Sequence, residues 1–145
     1  FTARKEDLKY LRHNLKTGGL LLADACCGSN GFDESFRKFI AALFGDDKLK
    51  LEPIPVKDEL FGEDLNGKAI RRVQCRHETA GKRDTKYQEY EPELEGVKVR
   101  GRWVVVYSKY DIGCALERHK SPDCLGHDYD SAVLLGRAVV LYHLR

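Results

Sequence analysis

Two adjacent thiols, Cys26 and Cys27, stand in a short turn bounded by Asp24 on one side and by Gly28 and Ser29 on the other. An apolar run, Leu20-Leu21-Leu22-Ala23, leads into the turn, and an amphipathic run beginning near Phe32 leaves it. Thiols in that setting support three kinds of chemistry. As a nucleophile, Cys26 would use the backbone N–H groups of a following helix to hold its thiolate. It would also need an imidazole to move the proton, and His119 and His127 are the histidines placed to serve. As metal ligands, Cys114, His119, Cys124 and His127 fall within fourteen positions, and Cys26 or Cys27 could join them; zinc takes such thiolate and imidazole donors. As an anion cradle, Gly28-Ser29-Asn30-Gly31 opens a helix. It lacks the Lys-Ser/Thr pair of a phosphate loop, however, and Asp24, Asp33 and Glu34 oppose an anion. The plain alternatives are a small buried cysteine, a solvated loop holding histidines by chance, and a turn that starts a helix. Weighing these, no resident metal and no cofactor is expected.

The elements around the turn follow from periodicity. Residues 5 to 16 place Leu8, Leu11 and Leu15 on one helical face, with Thr2 as a plausible cap and Gly18-Gly19 as the stop. The run at 20–23 fits a strand buried on both faces. Phe32, Phe36, Phe39, Ile40 and Leu43 make a helical stripe whose plain role is core packing. Leu49 to Ile54 alternates, with Pro53 marking an edge or a strand end. Trp103 to Ser108, β-branched and aromatic, is the strongest strand. Residues 69–76 read as a strand with one buried face, and His77 to Glu91 as a mobile, solvated loop. From Asp130 onward a buried C-terminal helix is expected, capped by Asp128 or Asp130.

This order predicts an α/β fold: a three-layer sandwich with a mostly parallel sheet and an antiparallel insertion at about 62–100. If the strands at 20–23, 49–54 and 103–107 run parallel, their carboxyl ends gather Asp24, Cys26, Cys27, Asp58, Ser108 and Asp111 at one edge. Ligands of open α/β sheets bind at such edges.

Composition narrows the function classes. At 145 residues the chain reads as one domain, 1–145. Its 25 basic and 23 acidic residues balance, which argues against a nucleic-acid partner. No apolar stretch is long enough to cross a bilayer. An odd set of five cysteines, two of them adjacent, reads as free thiols in a reducing compartment rather than as a disulfide framework.

Several segments also carry a resemblance. They are the run from Leu8 through Gly18-Gly19 to Cys26-Cys27-Gly28-Ser29, the helix Phe32-Asp33-Glu34-Ser35-Phe36-Arg37, Ile54-Pro55-Val56-Lys57-Asp58-Glu59-Leu60-Phe61, and Tyr107-Ser108-Lys109-Tyr110-Asp111-Ile112-Gly113-Cys114-Ala115-Leu116-Glu117. Together they resemble domain-of-unknown-function family 4159 over nearly the whole chain. The resemblance implies a glutamine amidotransferase-like, flavodoxin-type fold, carried as a piece of larger bacterial proteins, many with membrane segments. It also implies a further strand ahead of Phe1. Asp24-Ala25-Cys26-Cys27-Gly28 is itself similar to the Gly-x-Cys-x-Gly elbow of class I glutamine amidotransferases. Cys26 falls on the nucleophile and Gly28 on the second glycine, but Asp24 replaces the first glycine and no His-x-Glu triplet occurs. The resemblance implies a fold and no reaction, and it favours Asp24 and Asp111 as shared site residues.

The expectation is therefore a non-catalytic module that binds a small ligand or a protein partner. Its ligand-binding residues would be Asp24, Cys27, Gly28, Ser29, Ser108 and Asp111, beside Cys26. The alternatives are a Cys26-dependent hydrolase or amidotransferase-like enzyme assisted by His127 or His119, and a structural zinc domain.

Overall fold

The computed structural model describes residues 3–119 and 121–145, apart from the side chain of Asp46. Thr2, the expected cap of the first helix, lies outside them. In chain order the elements are α1 (Lys5–Lys16), β1 (Leu21–Asp24), α2 (Asn30–Phe44), β2 (Glu52–Pro53), α3 (Glu63–Asn66), β3 (Val73–Cys75), β4 (Glu78–Thr79), β5 (Lys82–Arg83), β6 (Gln88–Tyr90), β7 (Leu94–Val99), β8 (Arg102–Ser108), α4 (Gly113–Leu116) and α5 (Tyr129–Leu144).

The central sheet has the order β1-β8-β7-β2. β8, rich in valine and buried along almost its whole length, is the hub. β1 runs parallel to it, with Leu21 opposite Val105 and Asp24 opposite Ser108. β7 runs antiparallel to β8 and β2 antiparallel to β7. The sheet is thus mixed, with one parallel pairing against two antiparallel ones, and not mostly parallel. The cause is local: Arg100 and Gly101, at φ 51° and 80°, make a two-residue turn that folds β7 directly back onto β8. Gly96 lets β7 lie close to β8, because a Cβ there would come within 2.7 Å of the Trp103 ring. Two reversals leave β2 pointing the same way as β1 and β8, so a shared carboxyl edge survives. Asp58 is not part of it. Its Oδ1 accepts from Trp103 Nε1 at 3.1 Å, at the amino end of β8.

The two sides of β8 carry different partners. Val105 and Tyr107 bury against Leu15, Phe36, Ile40 and Leu43 of α1 and α2. Val106 joins Ala132, Leu135, Ala138 and Val139 of α5 in a second cluster. Neighbouring strand residues point to opposite faces, so the sheet is covered on both. α5 begins where its cap predicts, with Asp128 Oδ1 accepting from Ser131 N at 2.9 Å. It is also tied to β8 by Trp103 N donating to Tyr142 Oη at 3.0 Å.

The stretch 77–91 is not a mobile, solvated loop throughout. β3 pairs with β6 and β4 with β5 in two short ribbons. His77 is 5% exposed and lies between the rings of Tyr90 and Tyr110, at 3.7 and 3.9 Å. Asp84 fixes the arrangement by accepting from Tyr90 Oη at 2.7 Å and from His77 N at 3.0 Å. Aromatic stacking holds this region where aliphatic side chains are scarce.

Candidate functional site

The parallel register of β1 and β8 brings two turns side by side. After Asp24, Ala25 N donates to Ser108 O at 3.0 Å, and Cys26–Gly28 form a single 3-10 turn. Cys27 and Gly28 both take left-handed backbone, at φ 52° and 67°. At Gly28 glycine is required on two counts, since a Cβ would also meet Leu125 Cβ at 2.7 Å. The helix proper begins at Asn30, with Ser29 as its cap; Ser29 Oγ accepts from Phe32 N at 3.3 Å. Cys26 therefore stands ahead of α2 and not in its first turn. Gly28 and Ser29 shape the turn. Ser108 is buried, and its hydroxyl donates to Tyr110 O.

The turn after β8 supplies the other half. Asp24 Oδ2 accepts from Ile112 N at 2.8 Å and from Gly113 N at 2.9 Å, docking the start of α4 onto the end of β1. Asp111 reciprocates, with Oδ1 accepting from Cys114 N at 2.6 Å and Oδ2 from Cys27 N. Asp111 is only 1% exposed. Its main chain is held by Leu125 O and His127 N, at 3.1 and 2.9 Å. The two carboxylates are thus the clasps of the edge.

Between the clasps lie the thiols. Cys26 Sγ and Cys114 Sγ are 3.7 Å apart. One donor atom each from Cys26, Cys27, Asp111 and Cys114 lie within 4.8 Å of one another. Among the described residues no imidazole belongs to that group. The Cys114 thiol favours a thiolate at Cys26, but burial, Cys27 and Asp111 outweigh it, and the Cys26 pKa is raised. Hydrogen bonding to Asp111, burial and Cys26 raise that of Cys114. Burial and the adjoining Cys27 thiol push Cys124 up to about 12. A nucleophilic thiol needs the opposite shift.

The histidines stand apart. His119 is exposed beside a cavity that includes Arg118 and Tyr129. His127 is 3% exposed, with both ring nitrogens buried and without a hydrogen-bond partner. Burial, with His77 adding, lowers its pKa to about 4. So Cys114 lies with Cys26, Cys27 and Asp111, not in a set with His119, Cys124 and His127. No local spacing announces this: Cys26 and Cys114 are 88 positions apart and meet only through the β1–β8 register.

A family model described as Domain of unknown function (DUF4159) matches residues 1–144. The chain belongs to that family. The match spans both turns of the edge, from Asp24 to Cys124, together with every strand of the central sheet. Among curated proteins none matches the chain. No helix among the described residues is long and apolar enough to cross a membrane.

Proposed function

We propose that this DUF4159 chain is a non-catalytic binding module whose ligand at the carboxyl edge is a thiophilic divalent cation of the zinc class. Cys26, Cys27 and Cys114 would supply sulfur and Asp111 oxygen. The supporting observation is the mutual 4.8 Å grouping of four donor atoms from two turns. A tetrahedral zinc with sulfur at about 2.3 Å has sulfur–sulfur edges of about 3.8 Å, against 3.7 Å between Cys26 and Cys114. Asp111 suits the fourth position because backbone N–H groups orient both of its oxygens, as outer-shell partners commonly do for ligands. Asp24 holds the turn that carries Cys114 and is a positioning residue. The covered faces of the sheet support a three-layer, glutamine amidotransferase-like arrangement, and in that family resemblance the module would belong to a larger bacterial protein.

Metal analysis of the purified chain tests this. About one zinc per chain is expected, lost in Cys26→Ser and Cys114→Ser and kept in Cys75→Ala. Cobalt substitution should give thiolate charge-transfer bands and the strong visible absorption of a tetrahedral site. A chain that takes up neither metal at equimolar concentration overturns the reading. The enzyme reading predicts instead that Cys26 alkylates faster than free cysteine at neutral pH. Its raised pKa and the absence of an imidazole from the described thiol group oppose that outcome.

A further inference from the structure

A second feature lies beside α4, whose Ala115 lines it. The α4–α5 connection, the end of β3 and the first turn of α5 enclose a cavity of about 760 Å³, within the range of small-molecule sites. Arg76 forms part of its wall. This arginine is 8% exposed, and its Nη1 and Nη2 donate to Pro122 O at 3.0 Å and Ser121 O at 2.7 Å. Its Nε is buried without a partner. Among the described residues no carboxylate forms an ion pair with Arg76 or with Arg118, which shares the cavity. A buried guanidinium with only carbonyl partners is costly until an anion joins it.

The same wall carries two aromatic rings. The Arg76 guanidinium sits over Tyr87 at 4.9 Å and that of Arg118 over Tyr129 at 4.4 Å. Both tyrosines are large and exposed, at 43% and 40%. Stacking on a ring fixes the guanidinium plane. The Arg76 Nη groups already donate to carbonyls, so Arg76 supplies mainly charge, whereas exposed Arg118, with no side-chain hydrogen bond to the described residues, keeps its edge donors for a phosphate or carboxylate. The ring surface left exposed is suited to a planar group. Asp130 lies at the same cavity and can accept from a ring N–H or a hydroxyl.

We propose that this cavity binds a small molecule that joins a planar ring to an oxyanion, the oxyanion held by the Arg118 guanidinium beside the charge of Arg76 and the ring against Tyr87 or Tyr129. The site shares no side chain with the thiol group, so it stands or falls independently of metal binding.

Calorimetric titration of the whole chain with four probes tests this: adenosine 5′-monophosphate, adenosine, indole-3-acetate and indole. At least one oxyanion probe should bind one to one, and at least about tenfold more tightly than its neutral counterpart. The preferred oxyanion then tells a phosphate site from a carboxylate site. Arg118→Ala, at an exposed position, should weaken that probe about tenfold or more with the melting temperature unchanged. Tyr129→Leu should weaken it while leaving the preference for the charged probe. The proposal is overturned if neither oxyanion probe binds at millimolar concentration, if the neutral probes bind equally well, or if folded Arg118→Ala retains full affinity.

Discussion

Gly28 shows how one residue shapes the candidate site. Its left-handed backbone lets the chain reverse directly after the paired thiols, and its missing side chain admits Leu125. Gly28→Ala should therefore destabilise the fold by about 1–3 kcal/mol, through backbone strain plus a steric clash. A urea titration measures this. A loss below about 0.5 kcal/mol, the range of ordinary surface changes, would mean that the turn yields easily. Gly28 and its neighbouring cysteines were legible in the sequence because glycine and thiols follow an apolar run. That Cys26 or Cys27 could join Cys114 was legible, but not that Asp111 would complete the group in place of His119, Cys124 and His127, since that depends on which residue of β8 lies opposite Asp24. The buried guanidinium of Arg76, which meets carbonyls but no carboxylate among the described residues, was likewise hidden: Arg71-Arg72 and Arg76 look alike as letters, and burial alone separates them.

Among the elements, α4 is held by two carboxylates, with Asp24 taking the two N–H groups at its start and Asp111 the N–H of Cys114. The helix has one turn, and α-helices that short do not hold themselves together in water. Asp24→Ala should leave Ile112 N and Gly113 N without that acceptor, at a cost of about 1–3 kcal/mol. Hydrogen exchange should then quicken at residues 112–116 while α2 and α5 keep their protection. Uniform acceleration across the chain would contradict a local clasp. The long helices were readable from their periods: α1, α2 and α5 fall where leucine, phenylalanine and the Asp128 cap place them. β3 falls within the strand read at 69–76, but its partner β6 and the β4–β5 ribbon were obscured because stacked His77, Tyr90 and Tyr110 do the work of an aliphatic core. β2 was over-read, since the strand is only Glu52–Pro53 out of an alternating stretch of six, with Ile54 N adding one bond to Leu94 O.

For the molecule as a whole, acid is the informative stress. His127 is buried and neutral, facing His77, Asp111 and Asp128. Its folded pKa, about 4, lies below the ~6.5 of an unfolded chain. Above about pH 6.5 the residue costs nothing in this respect. As the pH falls from there toward 4, the unfolded chain takes up a proton that the folded chain refuses, and stability declines by up to about 1.4 kcal/mol per pH unit. Below 4 the decline from this group stops. Urea midpoints at pH 7 and pH 5 should differ in the native chain, and the difference should shrink in His127→Phe. An unchanged difference would assign the acid sensitivity to other groups. The α/β class and the common strand direction were legible at this scale. The antiparallel segment at about 62–100 was legible as well, but not that β7 and β2 take it into the central sheet, where antiparallel pairings outnumber the parallel one.

The neighbours of β8 in the sheet differ in how far away they are along the chain. β7 reaches it through a two-residue turn, whereas β1 lies some eighty positions earlier. Closing a long loop has an entropic cost that a tight hairpin avoids. The β7–β8 hairpin is then the natural early nucleus, and the β1–β8 seam the late long-range contact. Both clasps and all the grouped thiols sit at the carboxyl end of that seam. Local openings draw on the least stable parts of a fold, so native-state hydrogen exchange is expected to show the seam that brings the sulfurs together opening at lower free energy than the β7–β8 hairpin.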